Sequence, residues 1–260
     1  MNSNPLSGEA NSLGEISVRD ASTSYGDGLI LSGISFAVAK GESLAIIGPS
    51  GSGKSTLLRC INLLQPLKTG ELLFRGNRIA EGPNQFVNVD TFRRLVGMVH
   101  QELNLWPNKT VLQNLIEAPR FVLKMQRKEA IAKAEMWLAR LALTGLANRF
   151  PSELSGGQRQ RVAIARALMM ESSVVMFDEI TSGLDVDATE QLLRLLESLR
   201  DGTRTFIFVS HHLNFAERAT DKTAVLINGQ MEEIGPSRAV IRSPQNEKTQ
   251  RFLSVVRATY

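Results

Sequence analysis

A glycine-rich loop between an apolar run and a helical pattern constrains the fold of this chain more than any other feature. The apolar run covers residues 43–47, and the loop that follows it reads Gly48-Pro49-Ser50-Gly51-Ser52-Gly53-Lys54-Ser55-Thr56. This loop fits the phosphate-binding pattern G-x-x-x-x-G-K-[ST], which is meaningful when a strand precedes it and a helix follows it. A glycine- and serine-rich turn that matches by chance is the alternative, and the strand–loop–helix context argues against it.

The chemistry of this loop predicts a site for the phosphates of a nucleotide. Glycines let backbone N–H groups approach a phosphate closely, and the start of the next helix adds a partial positive charge. We expect Lys54 to reach the β- and γ-phosphates and Ser55 to place its hydroxyl on Mg²⁺. The loop alone does not distinguish kinases, GTPases, recombinases and transport motors.

The order of apolar runs and helical patterns predicts an α/β protein. Residues 174–177 and 205–209 are apolar or nearly so throughout, which is typical of strands that helices cover on both faces of a sheet. Residues 102–166 carry no strong strand signal and predict a helical insertion. The expected parts are a flexible arm at 1–13 and a single domain at 14–260, with its core at about 14–101 and 167–235, a helical subdomain at about 102–166 and a helical tail at about 236–260.

Composition excludes several classes of protein. The 260 residues contain one cysteine, Cys60, which leaves no internal disulfide and fits a reducing cytosol. The 30 Lys and Arg residues exceed the 26 Asp and Glu residues, and the net charge of +4 is too small to predict nucleic-acid binding. No apolar run approaches the roughly 18 residues that a membrane-spanning helix needs, so a role at a membrane requires a partner.

Two adjacent carboxylates follow the apolar run at residues 174–177. Asp178 stands at the end of a predicted buried strand, where a carboxylate can bind Mg²⁺, usually through water. Glu179 comes next and is well placed to act as the general base for an attacking water. Two solvated carboxylates without a function are the alternative, and the phosphate loop upstream favours the functional interpretation.

A second anion site is predicted at residues 154–163, which read LSGGQRQRVA. Ser155 can cap the N-terminus of a helix that has one apolar face. Gly156 and Gly157 would leave the N–H groups of the first turn open to a ligand. Because the loop at Lys54 already holds one side of a nucleotide, a second edge makes sense if it binds ATP held by another subunit. A helix start softened by glycine is the alternative.

These motifs together resemble the ATP-binding subunits of ABC transporters. Residues 154–158 match the signature of that family without interruption, and the similarity extends from about residue 16 to about residue 256. The resemblance implies a P-loop NTPase core of the RecA-like type, a mostly helical subdomain and a small antiparallel β portion near the N-terminus. It is strongest to subunits of bacterial polar amino-acid uptake, of the histidine, glutamine and arginine type, through LLRCINLL at 57–64, VGMVHQ at 96–101 and SPQNE at 243–247.

The resemblance also implies roles for further residues. Tyr25 corresponds to the aromatic residue that stacks on adenine, with a surface aromatic in a turn as the alternative. Gln101 corresponds to the glutamine that contacts Mg²⁺ and the attacking water and connects to the permease. His211 corresponds to the histidine that contacts the γ-phosphate. Gln158 completes the signature, and Asp185 lies in the loop that communicates across the dimer.

The residues that follow Gln101 include the apolar side chains of Leu103, Leu105 and Trp106. In the family this region helps to form the groove that receives a short helix from the permease. The core of the helical subdomain is the alternative for these side chains.

Four positions depart from the family pattern. Ile180 replaces the proline that usually follows the glutamate, Gly183 an alanine, His212 an acidic residue and His100 an aromatic one. Loss of the φ-locked proline ring beside Glu179 predicts a base that is held less tightly and slower hydrolysis. His212 leaves open which of two adjacent histidines faces the nucleotide.

The resemblance implies ATP and Mg²⁺ as ligands and ATP hydrolysis as the activity, with Glu179, His211, Gln101 and Lys54 as catalytic residues. Two copies, or this chain and a second ABC ATPase subunit, would enclose two ATP molecules. The pair would drive a permease at the cytoplasmic face of the bacterial inner membrane, together with an extracytoplasmic solute-binding protein. No nucleic acid is expected. The alternatives are a soluble ABC-type ATPase that acts on ribosomes or nucleic acid, and a weakly hydrolysing regulatory subunit.

Overall fold

The computed structural model describes residues 14–26 and 28–259, so the arm expected at residues 1–13 lies outside the described residues. The described residues divide into two compact units, the first with those up to residue 93 together with 201–259 and the second with residues 94–200. The strands in chain order are β1 (Ile16–Tyr25), β2 (Gly28–Val38), β3 (Ser43–Ile47), β4 (Thr69–Phe74), β5 (Asn77–Glu81), β6 (Asn84–Gln85), β7 (Val96–Val99), β8 (Val174–Asp178), β9 (Thr205–Val209), β10 (Lys222–Ile227) and β11 (Gln230–Pro236). The helices are α1 (Lys54–Ile61), α2 (Val89–Leu95), α3 (Val111–Val122), α4 (Arg127–Arg140), α5 (Gly156–Met169), α6 (Val186–Ser198), α7 (Leu213–Ala219), α8 (Ser237–Arg242) and α9 (Glu247–Thr259).

An antiparallel sheet in the first unit has the strand order β2-β1-β4-β5-β6. From Ala21 to Ser24 in β1, buried residues alternate with more exposed ones, as in a strand with one face toward a core. Register shifts between Val18 and Tyr25 interrupt the pairing with β2. The small antiparallel β portion expected near the N-terminus is therefore confirmed.

Parallel strands of the first unit carry the phosphate loop. Strand β3 pairs in parallel with β10 on one side and with β9 on the other, and β11 pairs antiparallel with β10. Every residue of β3 and β9 is buried, as their apolar sequences predict. The carboxyl ends of β3 and β9 consequently meet at one edge.

The C-terminal tail packs on this part of the first unit. Val240 and Ile241 of α8 and Leu253 of α9 form one buried cluster with Ile47 of β3 and Val225 of β10. The tail thus contributes core side chains beneath the strand that leads into the phosphate loop. Burial of each large aliphatic side chain stabilises the fold by about 1.5–3 kcal/mol.

The second unit combines helices with two parallel strands, β7 and β8, which pair through Val96 with Val174 and Val99 with Phe177. Helices α3, α4 and α5 pack against one another. Residues 102–166 contain no strand and include α3, α4 and most of α5. Within the described residues, no helix is long and apolar enough to cross a membrane.

Candidate active site

The phosphate loop of the first unit joins the end of β3 to the start of α1. Gly53 is the N-cap of α1 and has φ 100°, a conformation that favours glycine. A Cβ at Gly48 would lie 1.9 Å from the carbonyl oxygen of Leu226, so only glycine fits there. Backbone geometry therefore requires glycine at Gly48 and Gly53, in addition to any requirement from a bound phosphate.

Two polar side chains of the loop point into a buried environment. Lys54 is 5% exposed, and its Nζ donates to the carbonyl oxygens of Gly48 and Pro49 at 2.9 Å each. Ser52 is 3% exposed, and its hydroxyl has no hydrogen-bond partner among the described residues. A buried hydroxyl without a partner is costly, and such groups call for a ligand or a water. The loop thus carries an ammonium group and an unsatisfied hydroxyl, a combination suited to an anion.

The histidine pair of the first unit follows β9. The N–H of Ser210 donates to the carbonyl oxygen of Ile46, so His211 comes off the same strand edge as Gly48. The rings of His211 and His212 lie 4.2 Å apart between centroids, with an interplanar angle of 37°. Burial and the neighbouring His211 lower the pKa of His212, which favours its neutral form. The order of the two rings at a nucleotide stays open.

Tyr25 ends β1 and is 54% exposed. An exposed aromatic ring at a strand end is available to stack on a planar ligand. Its role toward adenine stays a prediction.

The second unit brings Gln101 and the two carboxylates to one edge. Strands β7 and β8 are parallel, and Val99 pairs with Phe177, so Gln101 and Asp178 both follow at the carboxyl ends. Gln101 Nε2 donates to the Ser182 hydroxyl oxygen at 3.3 Å. Gln101, two residues after β7, and Asp178, at the end of β8, thus lie at the same edge of two neighbouring strands.

The carboxylates themselves stand at a sharp turn. Asp178 is the last residue of β8 and is 4% exposed, whereas Glu179 is half-buried with φ 47°. A left-handed glutamate costs about 1–3 kcal/mol, and such strain is common at functional sites. The turn closes through the N–H of Ser182, which donates to the carbonyl oxygen of Glu179. Ile180 is buried and anchors the turn where the family pattern has proline.

The signature segment forms the start of α5. Ser155 is the N-cap, and its hydroxyl accepts from the N–H of Gln158, whose side chain accepts from the N–H of Ser155. This reciprocal arrangement is a capping box. A Cβ at Gly156 would have the Leu184 side chain as its nearest neighbour at 3.8 Å, so the first turn is uncrowded. The predicted N-cap is therefore confirmed, and Ser155 itself is exposed.

Asp185 has a structural task that the sequence did not reveal. It is the N-cap of α6, and its carboxylate accepts from the N–H of Ala188 at 2.8 Å. A cap of this kind stabilises a helix by about 1 kcal/mol. A role across a dimer would be additional to this cap.

The loop after Gln101 is held by two side chains that sequence reasoning missed. Asn114 of α3 is buried, and its amide binds the backbone of Trp106 and the carbonyl oxygens of Lys109 and Thr110. Arg166 of α5 binds the carbonyl oxygens of the loop further upstream. No sequence signal indicates the Arg166 contacts, because they join residues 62 and 63 positions apart that only the fold brings together.

The apolar residues of this loop match neither sequence-based alternative completely, neither a permease-binding groove nor the core of the helical subdomain. Leu103 and Leu105 are half-buried, and Trp106 is 38% exposed. The ring of Trp106 has Lys109 Nζ at 4.7 Å from its centroid and the guanidinium carbon of Arg166 at 5.6 Å. The loop is thus partly core and partly an available surface.

Comparison with known proteins identifies the family. Residues 31–182 match the model of the ABC transporter family. The chain is 38% identical over 248 residues to the arginine/ornithine transport ATP-binding protein AotP of Pseudomonas aeruginosa, covering 92% of this chain and 98% of that protein. It is 40% identical over 230 residues to the glutamine transport ATP-binding protein GlnQ of Geobacillus stearothermophilus, covering 88% and 94%.

A solved structure shows the same fold. It is a dimeric ATP-binding cassette in a post-hydrolysis state with ADP and phosphate, at 31% identity and a TM-score of 0.75, covering 86% of this chain and 99% of that one. The P-loop NTPase fold predicted from the sequence is therefore confirmed. On these matches and on the geometry of its phosphate loop, strand-end carboxylates and signature helix, the chain belongs to the ABC transporter family and is one of its ATP-hydrolysing, ATP-binding subunits.

Proposed function

We propose that this ATPase drives the import of polar amino acids through a transmembrane permease. The observation that carries the proposal is the full-length similarity to AotP and GlnQ, whose names assign arginine/ornithine and glutamine transport to them. The chain covers 98% and 94% of those proteins, so its parts correspond to a whole transport subunit. The permease and an extracytoplasmic solute-binding protein supply the solute specificity.

Two phosphate-binding edges on one chain support a paired arrangement. The loop at Lys54 belongs to the first unit, and the helix start at Ser155, Gly156 and Gly157 belongs to the second. In the proposal, the loop of one copy and the helix start of its partner hold the same ATP. Both edges present N–H groups at a helix N-terminus, where a phosphate is stabilised. The pair is a homodimer, or this chain with a second ABC ATPase subunit.

The catalytic roles follow from the chemistry of the side chains. Lys54 neutralises charge on the β- and γ-phosphates, and His211 contacts the γ-phosphate. Gln101 orients the attacking water, and Glu179 accepts its proton as the new bond to phosphorus forms and the bond to ADP breaks. Tyr25 stacks on the adenine ring. Most of the rate enhancement then comes from positioning and from electrostatic stabilisation.

The donor atoms proposed for Mg²⁺ suit that ion. Ser55 offers a hydroxyl in the first turn of α1, Asp178 a buried carboxylate at the end of β8 and Gln101 an amide oxygen. Mg²⁺ is a hard cation that prefers oxygen ligands and retains several waters, so a few protein oxygens are sufficient. The ion would neutralise developing charge on the phosphates.

The permease would dock beside the loop that follows Gln101. Trp106 offers a partly exposed aromatic surface there. Docking on an integral membrane partner would hold the subunit at the cytoplasmic face of the bacterial inner membrane.

A reconstitution experiment tests the transport assignment. The chain would be co-purified with its permease in lipid vesicles, and ATP hydrolysis measured with the solute-binding protein and either arginine, glutamine or glucose. We expect stimulation by an amino acid and none by glucose. Stimulation by glucose alone, or hydrolysis that depends on added ribosomes or DNA, would contradict the proposal while leaving the ATPase identity intact.

Two matched capping boxes separate structural from catalytic roles of Ser155. Thr110 and Gln113 form the same box at the start of α3 that Ser155 and Gln158 form at α5. We expect Ser155→Ala and Thr110→Ala each to lower stability by about 1 kcal/mol in thermal unfolding. Only Ser155→Ala should also lower the ATPase rate, by about 10-fold, because it loses a hydrogen bond to a charged phosphate. Equal rates in the two variants would limit Ser155 to helix capping.

A further inference from the structure

Arg166 has no assigned nucleotide role, yet it makes two hydrogen bonds to the loop that follows Gln101. Its Nη1 donates to the carbonyl oxygen of Asn104 at 2.7 Å, and its Nη2 donates to that of Leu103 at 2.8 Å. The planar guanidinium fork is suited to two acceptors at fixed spacing, which a single ammonium cannot match. Arg166 therefore fixes two consecutive peptide groups of the loop that follows Gln101.

The backbone that Arg166 holds is strained. Leu103 has φ 59° and Asn104 has φ 48°, so two consecutive non-glycine residues lie in the left-handed region. L-amino acids avoid this region because Cβ approaches the following carbonyl oxygen, and the conformation persists only when its surroundings enforce it. The two hydrogen bonds from Arg166 supply that enforcement from outside the loop.

The guanidinium of Arg166 has no carboxylate partner in the part of the chain that the structure describes. Within residues 14–26 and 28–259, Arg166 forms no ion pair, and its guanidinium binds the two carbonyl oxygens and approaches the ring of Trp106. Burial lowers the pKa of Arg166, because desolvation disfavours the charged form. A half-buried cation whose two hydrogen bonds both go to the loop indicates that it helps to hold the loop.

Arg166 connects the loop to the helix that starts at the signature. It lies in the last turn of α5, and Ser155 is the N-cap at the other end, about 16 Å away along the helix axis at 1.5 Å per residue. Val162, Ile164 and Leu168 of α5 are buried, and tightly packed interiors transmit strain because they compress little. A displacement at Ser155 would consequently reach Leu103 and Asn104.

Other side-chain contacts involve the loop on both sides of the stretch that Arg166 binds. Upstream, Gln101 donates to Ser182. Downstream, Asn114 holds both backbone groups of Trp106. Arg166 acts on the stretch between these two contacts, and its guanidinium also approaches the Trp106 ring. The state of α5 can therefore influence Gln101 on one side and the exposed indole on the other.

We propose that Arg166 is a positioning residue that ties the loop at residues 101–106 to α5, so that ATP held at Ser155 changes the setting of Gln101 and Trp106. This inference rests on the proposed function, because it takes from it the roles of Ser155 and Gln101. It adds a physical link within one chain between the phosphate edge and the surface at Trp106.

Trp106 provides a spectroscopic test. The chain has two tryptophans, and the other, Trp137, is buried, so Trp137→Phe leaves Trp106 as the sole indole reporter. Trp106 emission would be recorded in this background with and without saturating ATP and Mg²⁺, at a concentration that supports pairing. We expect an ATP-induced change in Trp106 emission, and Arg166→Lys should reduce that change at least fivefold. The same variant should lower kcat about 10-fold while nucleotide affinity stays constant.

Lys109→Met is the matched control. It removes the other cation from the Trp106 ring but no hydrogen bond to Leu103 or Asn104. We expect a shifted resting emission with the ATP-induced change and kcat retained. If Arg166→Lys also retained both the emission change and kcat, the proposal would be overturned.

A second variant covers the case in which Arg166→Lys lowers stability. Asn104→Gly relieves the left-handed conformation at one of the two strained positions. In the double variant, we expect thermal stability to recover without recovery of the ATP-induced emission change. Recovery of both would show that Arg166 acts only through loop stability and would overturn the proposal.

Direct measurement of ATP binding separates the two levels of inference. Absence of ATP binding in the Trp137→Phe background would contradict the proposed function. Normal binding without any emission change at Trp106 would overturn the link through Arg166 alone.

Discussion

Replacement of Glu179 by glutamine is expected to lower ATP turnover at least about 100-fold while ATP affinity stays constant, because a general base contributes about 10²–10⁴-fold. Glutamine keeps the shape of the side chain and removes its ability to accept a proton from water. Glu179 follows the last residue of β8 and adopts φ 47°, which directs it away from the strand line. Trapped ATP should also make the paired form accumulate, which light scattering would detect.

Glu171→Gln is the matched control for this experiment. Glu171 belongs to the same unit, lies just before β8 and also has a positive φ, of 57°. Its carboxylate pairs with Lys133, so the substitution removes an ion pair but no proposed base. Turnover by Glu171→Gln should be close to that of the unchanged chain. Normal turnover by Glu179→Gln would remove Glu179 from the role of base.

Ile180, which stands beside Glu179 where the family pattern has proline, bears on the rate of ATP hydrolysis. The sequence predicts slower hydrolysis because Ile180 does not fix φ as a proline ring does. The structure shows that the Ile180 side chain is buried, so packing constrains the turn that the missing ring would otherwise constrain. Burial also explains why an isoleucine is accommodated there. Slower hydrolysis stays a prediction for a direct rate measurement.

The elements that sequence reasoning predicted have strong local signals. The strand β3, the loop at residues 48–56 and the N-cap Ser155 each follow from an apolar run, a glycine pattern or a capping residue within about ten positions. The strand-end position of Asp178 follows in the same way. Local patterns suffice because each of these features is fixed by neighbouring residues.

Strands β5, β6 and β11 could not be predicted from their own residues, and their sequences explain why. β5 and β6 are short and largely polar, and β11 reads QMEEIGP, in which no apolar alternation is visible. β11 is half-exposed at the edge of β10, where a strand needs little apolar surface. Pairing partners, which a single sequence does not reveal, define these strands.

Contacts of the site that span long sequence separations were also invisible. Gln101 and Ser182 are 81 residues apart, and Arg166 and Leu103 are 63 apart. Each pair depends on how helices and strands pack in the second unit. The chemistry of the site was thus predicted from its motifs, whereas the groups that hold those motifs in place required the fold.

Replacement of Lys54 by alanine is expected to weaken ATP binding about 10- to 100-fold, because a hydrogen bond to a charged group contributes about 1.5–3 kcal/mol. Nζ presently donates to the carbonyl oxygens of Gly48 and Pro49 within its own loop. These bonds keep the ammonium group at the loop before a phosphate arrives. Isothermal titration with a slowly hydrolysed ATP analogue would give the affinity directly.

Lys40→Ala controls for the loss of one positive charge, since Lys40 is exposed and lies just before β3. Loss of Lys54 also removes the donor to two loop carbonyls, so unfolding should first be measured without nucleotide. A ligand that binds only the folded chain raises stability by RT ln(1 + [L]/Kd), so the ATP-induced rise in melting temperature reports affinity separately from that initial loss. Lys40→Ala should keep the full rise and Lys54→Ala should lose most of it. An equal rise in both variants would mean that the phosphates bind elsewhere. Lys54 is 5% exposed, and loss of its ammonium group from a site that holds a triphosphate would weaken binding.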